Sequence, residues 1–419
     1  MNGFRLSAGA IGVAAMLALT ACGSGKSVDG GDETGADGVK HGPGVTDKAI
    51  GVGMITDLTG PYAPLGKSIS QGAQLYFEQV NKDGGICGRT VEPQVRDMGY
   101  DAQKSVGAYT ELEPKVAAFA HFIGSATVGA VQDRIAKSGP LTLVLAWSPQ
   151  MLGSERIQMT GTTYAVDVIN GVDYAVEKHG LKSGDKIGHI YVEGDYGVDS
   201  LAGSTYAARQ HGMTVVEQKV KATDADMTSQ VAAMKSEGVK AIVLSTSPKQ
   251  TASAVGVAAA QGLKVPFLGS NSSFAPQLLD TPVGPALTAN FVVMQAASPL
   301  SADLEAMKKL AADYTAKYPD ATLDNGVMAG YTTAAITGDA LKLACGKKDL
   351  TREGIIAAHR SQNAWDGGFG GTMDFTDVNQ PPSRETHILQ PDKASAGGLK
   401  IIQEASASEN AQKYEIKIG

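Results

Sequence analysis

Residues 49–57 read AIGVGMITD, and residues 66–82 read GKSISQGAQLYFEQVNK, followed by Asp83-Gly84-Gly85. The first run is almost entirely apolar and does not alternate, as expected of a strand covered on both faces of a parallel sheet. In the second run Ile69, Ala73, Tyr76, Phe77 and Val80 recur at helical spacing, and the glycine pair stops the helix. This strand-then-helix unit repeats outward along the chain. Strands are predicted near 90–97, 116–123 and 141–147, with helices at about 101–113 and 127–138 between them. The rhythm restarts at 187–193 (IGHIYVE), with strands at 213–220, 239–246, 265–269 and 290–295. Helices are predicted over 198–211, 226–236 and 249–261. The last third carries helices near 301–318, 326–344 and 351–359, then a strand near 385–390. Two successive strand–helix runs predict an α/β protein of two lobes built on parallel sheets, with the last third completing both.

The composition fits that class. The chain has 419 residues, 43% of them hydrophobic and 19% charged, with 51 glycines for tight strand-to-helix turns. Lys and Arg total 36 against 43 Asp and Glu, a formal charge of −7. A mildly acidic chain without a basic run argues against a nucleic-acid partner. The seven histidines are scattered and no cysteine pair has zinc-site spacing, so no metal and no cofactor is expected.

The first segment sets the compartment. Residues 1–22 read MNGFRLSAGAIGVAAMLALTAC. Arg5 gives a positive start, Leu6 to Leu19 an apolar core, and Leu19-Thr20-Ala21-Cys22 a small-residue cleavage pattern. The apolar stretch is shorter than the ~20 residues of a membrane span, so 1–21 reads as a signal peptide. The cleavage pattern resembles the bacterial lipobox, which implies lipidation of Cys22 and an outward-facing position on the cell membrane. Residues 22–47 then form a Gly-, Asp- and Ser-rich tether with a reach of roughly 25–30 Å. With Cys22 lipidated outside the reducing cytoplasm, Cys87 and Cys345 remain as a pair, and a disulfide between them is expected.

Several stretches resemble the leucine/isoleucine/valine-binding proteins and their amide-, urea- and aromatic-acid-binding relatives. They are Gly60-Pro61-Tyr62-Ala63-Pro64-Leu65-Gly66, Val80 to Arg89, Gly194-Asp195-Tyr196-Gly197, and Gly262 to Gly269. The resemblance covers about 48–390. It implies a type I periplasmic-binding-protein fold, with two Rossmann-like lobes joined by a three-strand hinge. Lobe one would comprise 48–165 plus 297–365, lobe two 167–295 plus 366–405, and 406–419 a tail. It also implies capture of a small ligand between the lobes, delivery to the permease subunits of an ABC importer, a monomeric state and no catalysis. The alternative role is a ligand-sensing lipoprotein receptor without transport.

Candidate ligand contacts follow from strand ends and helix starts, where unpaired N–H groups converge. On lobe one they are Tyr62 in the opening motif, Gly124, Ser125 and Thr127 after one strand, and Ala146, Trp147 and Ser148 after the next. For Ser125 and Thr127 the competing role is helix capping; for Trp147 it is core packing. On lobe two the candidates are Tyr196, Thr246 and Asn271, with Asp167 at the first hinge crossing. The resemblance aligns Trp147 with a threonine of the amino-acid binders, Thr246 with a tyrosine, and Asn271 with the glutamate that pairs with the ligand's ammonium. An amide supplies no charge for a desolvated ammonium. The expected ligand is therefore a small carboxylate, amide or flat molecule rather than leucine, isoleucine or valine. The stretch Gly60 to Ser68 imitates a phosphate-binding loop but has five residues between its glycines where four are needed, so nucleotide binding is rejected. No serine-hydrolase elbow or HExxH helix occurs.

Overall fold

The computed structural model describes residues 33–418. The signal-peptide and Cys22 readings lie outside these residues, as does most of the tether. Two short strands come first, β1 (Glu33–Thr34) paired antiparallel with β2 (Lys40–His41). The first large sheet contains β3 (Ala49–Thr56), β4 (Thr90–Asp97), β5 (Ala118–Ile123), β6 (Leu141–Leu145) and β7 (Ile157–Met159), in the order β4-β3-β5-β6-β7. All its pairings are parallel. The central strands β5 and β6 are buried along their whole length, which explains why they are apolar apart from His121 and Thr142.

Between these strands run α1 (Ala63–Lys82), α2 (Ala102–Leu112), α3 (Ser125–Gly129) and α4 (Gln132–Ser138). The single helix predicted over 127–138 is thus two, broken near Ala130 and Val131. After β7 comes α5 (Tyr164–His179), which the strand–helix reading left unassigned. Thr163 caps it through a bond from Val166 N, and Gly180 ends it in the left-handed conformation at φ 68°.

The second large sheet contains β8 (Lys186–Val192), β9 (Thr214–Val220), β10 (Ala241–Ser245), β11 (Phe267–Ser270) and β12 (Phe291–Gln295), all parallel. Its helices are α6 (Asp195–Gln210), α7 (Thr228–Glu237), α8 (Pro248–Ala260) and α9 (Gly284–Asn290). The chain then returns to the first sheet with α10 (Glu305–Lys317) and α11 (Asn325–Gly346), a short β13 (Asp349–Leu350) beside β2, and α12 (Arg352–Arg360). Finally β14 (Thr386–Pro391) and β15 (Leu399–Ser406) complete the second sheet as an antiparallel edge hairpin, giving the order β15-β14-β12-β11-β10-β8-β9. That sheet is therefore mixed rather than wholly parallel.

Each sheet is covered on both faces by apolar side chains. Two details depart from the sequence division. Residues just past 365, assigned by sequence to the second lobe, stay with the first: Phe369 and Phe375 pack with Trp365 in the core that holds α1, α10 and α11. Their aromatic rings fill that core, so the chain crosses only after them. The segment 406–419 is also more than a tail. It forms α13 (Glu409–Lys413), whose Ala411 is buried and whose Asn410 donates to Asp173 on α5 at 3.0 Å. Among the described residues no helix is long and apolar enough to cross a membrane.

Candidate functional site

The C-terminal ends of β3, β5 and β6 face those of β11 and β12 across a cavity with about 120 Å³ of water-accessible space. On the first lobe the loop after β3 is wound around Asp57. That carboxylate accepts the N–H groups of Thr59 at 3.2 Å and Tyr62 at 2.9 Å, which fixes Tyr62 at the start of α1 with its ring in the cavity wall. The Tyr62 and Tyr100 rings pack at 4.7 Å. Gly124 sits between β5 and α3 at φ 90°, and a Cβ there would lie 2.5 Å from the Tyr100 ring. Only glycine permits both the turn and that ring position. Leu65 and Ile69 of α1, Ile123 and Leu145 at the strand ends, and Met328 and Ala329 of α11 form an apolar surface behind these rings.

On the second lobe Tyr164 opens α5 and Tyr196 opens α6, their rings 4.6 Å apart. Tyr164 also meets Trp147 edge to face at 5.8 Å. Trp147 is only partly buried, and its indole N–H donates to the Thr160 carbonyl. The Tyr196 hydroxyl is bonded to the side chains of Ser270 and Ser272. Phe274, Pro276 and Leu399 close this side. Asn271 lines the cavity with a buried Oδ1 that has no partner among the described residues.

The charge pattern is unusual for a polar-solute site. The described lining residues include no Lys, Arg or His, and a single acid, Asp324. Asp324 caps α11 by accepting Gly326 N at 2.8 Å, and burial pushes its pKa up to about 6. Burial also raises the phenols of Tyr62, Tyr100 and Tyr164, and pushes Tyr196 up to about 12. At neutral pH all four are uncharged donors.

Of the residues singled out from sequence, Tyr62, Gly124, Trp147, Tyr196 and Asn271 line the cavity. The others do not. Thr127 donates to the Ile123 and Gly124 carbonyls and serves the backbone of its own helix. Ser125 lies buried next to the Tyr164 hydroxyl without completing a well-formed hydrogen bond. Ala146 is packed in the core, and Ser148 donates to Gln150. Thr246 shares its hydroxyl with Thr251 at 2.8 Å. Asp167 faces away, into the junction with β14, where it accepts Thr386 Oγ1 at 2.6 Å. Sequence reading missed Tyr100, Tyr164 and the α11 face. Tyr164 follows the capping signal Thr162-Thr163, which marks a helix start. The orientation of α11 towards the cleft has no local signal, because α11 arrives from the far end of the chain.

Comparison with known proteins agrees with this architecture. A family model described as periplasmic binding protein matches residues 49–397. A Leu/Ile/Val-binding protein homolog of Brucella melitensis is 27% identical over 200 residues, 46% of this chain and 53% of that protein. The chain thus matches about half the length of such relatives. A solved fatty acid ABC transporter substrate-binding protein from Thermomonospora curvata is 54% identical, covers 92% of this chain and 99% of its own, and superposes with a TM-score of 0.91. A branched chain amino acid ABC transporter protein from Thermus thermophilus, solved with bound valine, is 20% identical with a TM-score of 0.78 over 87% of this chain and 98% of its own, a likeness of fold. Two sheets with their strand ends turned on one cavity, and a family match spanning both, make this chain a type I periplasmic binding protein of the leucine/isoleucine/valine-binding family.

Proposed function

We propose that this protein is the extracytoplasmic, lipid-anchored capture component of an ABC importer, and that its ligand is a fatty carboxylate. The observation that carries the ligand class is the cavity itself. It is walled largely by aliphatic and aromatic side chains, and the single acid among its described lining residues, Asp324, is already committed to the Gly326 N–H. A desolvated zwitterion needs a fixed partner for each charge. An apolar chain needs only surface, at about 25 cal/mol per Å² removed from water. The solved relative at 54% identity is described as fatty-acid-binding, which supports the same class here. Burial of Asp167 away from the cavity removes the one candidate that stood in for the missing glutamate.

The test is calorimetric titration of lipid-stripped protein with sodium decanoate, sodium myristate and leucine. The expected result is binding of a fatty acid at about 1 μM or tighter, corresponding to about −8 kcal/mol, with no heat from leucine. Micromolar leucine binding with silent fatty acids overturns the reading.

A further inference from the structure

Four tyrosines line the cavity together, Tyr62 packed on Tyr100 and Tyr164 on Tyr196. Tyr62 and Tyr100 come from the first lobe, Tyr164 and Tyr196 from the second, and each lies close enough to the others for their charges to interact on ionisation. Tyr62, Tyr164 and Tyr196 are each 6% exposed. Among the described residues, neither the Tyr62 nor the Tyr100 hydroxyl has a hydrogen-bond partner. A hydroxyl that lines the cavity without a protein acceptor is free to donate to a ligand there. A carboxylate has about four acceptor sites, enough to serve such a cluster without a cation.

The part of the wall formed by α1 and α11 is largely apolar. Leu65 and Ile69 lie one turn apart on α1; Met328, Ala329 and Thr332 span one turn on α11. The two helices touch just beyond. A Cβ at Gly330 would fall 1.8 Å from the Ile69 carbonyl oxygen, so the two backbones are in contact there. From Tyr62 to Ile69 the helix rises about 10 Å. Ala329 is small and faces this space, so the side chain there sets how much of it remains.

We infer that the tyrosine cluster holds the ligand's carboxylate as a cage of neutral donors, and that the tail lies along the apolar wall formed by α1 and α11, whose free space sets the preferred chain length. The inference rests on the fatty-carboxylate reading above. It assigns the head group to the lobe junction and the length gauge to the first lobe alone.

The experiment titrates lipid-stripped protein with even-numbered saturated acids from hexanoate to palmitate, and with 1-decanol as the uncharged match. Ala329→Leu is expected to move the optimum to shorter acids, with roughly 10-fold or greater loss for the longest and little change for the shortest. Ile69→Ala is expected to move it to longer acids, which tests the same space by enlarging rather than filling it. Tyr62→Phe combined with Tyr100→Phe is expected to weaken every acid by a similar factor of roughly 10–100, and decanol by less. Melting curves of the unliganded variants establish that each is folded. The inference is overturned if folded Ala329→Leu and Ile69→Ala both leave the length profile unshifted, or if the double tyrosine variant binds acids as the parent does. Absence of binding by the parent to every acid in the series is a different result, which removes the functional reading itself.

Discussion

At the scale of single residues, the buried acids give the protein a pH dependence opposite to that of an ordinary ion-paired carboxylate. Burial pushes Asp167 and Asp199 up to about 7 each, with partial relief from the Thr386 hydroxyl and the Ala165 N–H respectively. The neighbouring Asp199 adds to the rise at Asp167, and Asp195 to the rise at Asp199. In the unfolded chain an aspartate titrates near 3.9. Between about pH 4 and pH 7 the folded protein therefore holds protons that the unfolded chain has lost, and stability falls as pH rises through that window. Asp167→Asn keeps an acceptor for Thr386 and removes the charge. It should raise the unfolding free energy at pH 8 by on the order of 1–3 kcal/mol, with the gain gone near pH 4. Urea unfolding of both proteins across that range measures it; an equal difference at both pH values would refute the assignment.

At the scale of elements, α1 and α11 act as one unit. Glycine on each helix lets the backbones touch: Cβ atoms at Gly72 and Gly330 would lie 2.1 Å from the Val327 and 1.8 Å from the Ile69 carbonyl oxygens. The N-terminal turns line the cavity, and the C-terminal ends are joined by the Cys87–Cys345 disulfide, with Cα atoms 6.0 Å apart and 258 residues between them in sequence. Closing so long a loop restricts the unfolded chain, and native bridges typically contribute about 2–4 kcal/mol. Reduction, or the Cys87→Ser plus Cys345→Ser variant, should lower the unfolding free energy by that amount, and with it the urea midpoint, while fatty-acid affinity at the opposite end of the helix pair stays within about 3-fold of the parent. An unchanged midpoint would mean that the bridge is not formed in the folded protein. The sequence marked both helices through their apolar spacing and named the cysteine pair. It did not mark their contact, because a glycine in a helix looks the same whether it faces a neighbour or water.

At the scale of the whole molecule, the two lobes face each other across the cavity, and residues 1–32 precede the described part of the chain. The anchoring proposal therefore rests on the Leu19–Cys22 pattern, and Cys22→Ala should shift the protein from the membrane fraction to the soluble fraction on fractionation of its host; retention in the membrane fraction would overturn it. By itself, the sequence determined the fold class and its family, since buried parallel strands and their helices announce themselves by local apolar period and turn residues. It also placed Tyr62, Gly124, Trp147, Tyr196 and Asn271 at strand and helix ends, where cleft residues of such sheets lie. Only the tertiary structure decided which of the neighbouring polar groups were already bonded within the protein. Thr127, Ser148, Thr246 and Asp167 each found a partner within the fold, a choice made by distances that no local pattern carries. It also decided the character of the cavity, because Tyr164 and Met328 come from segments far apart in sequence, and the apolar wall exists only once α11 has returned to lie against α1.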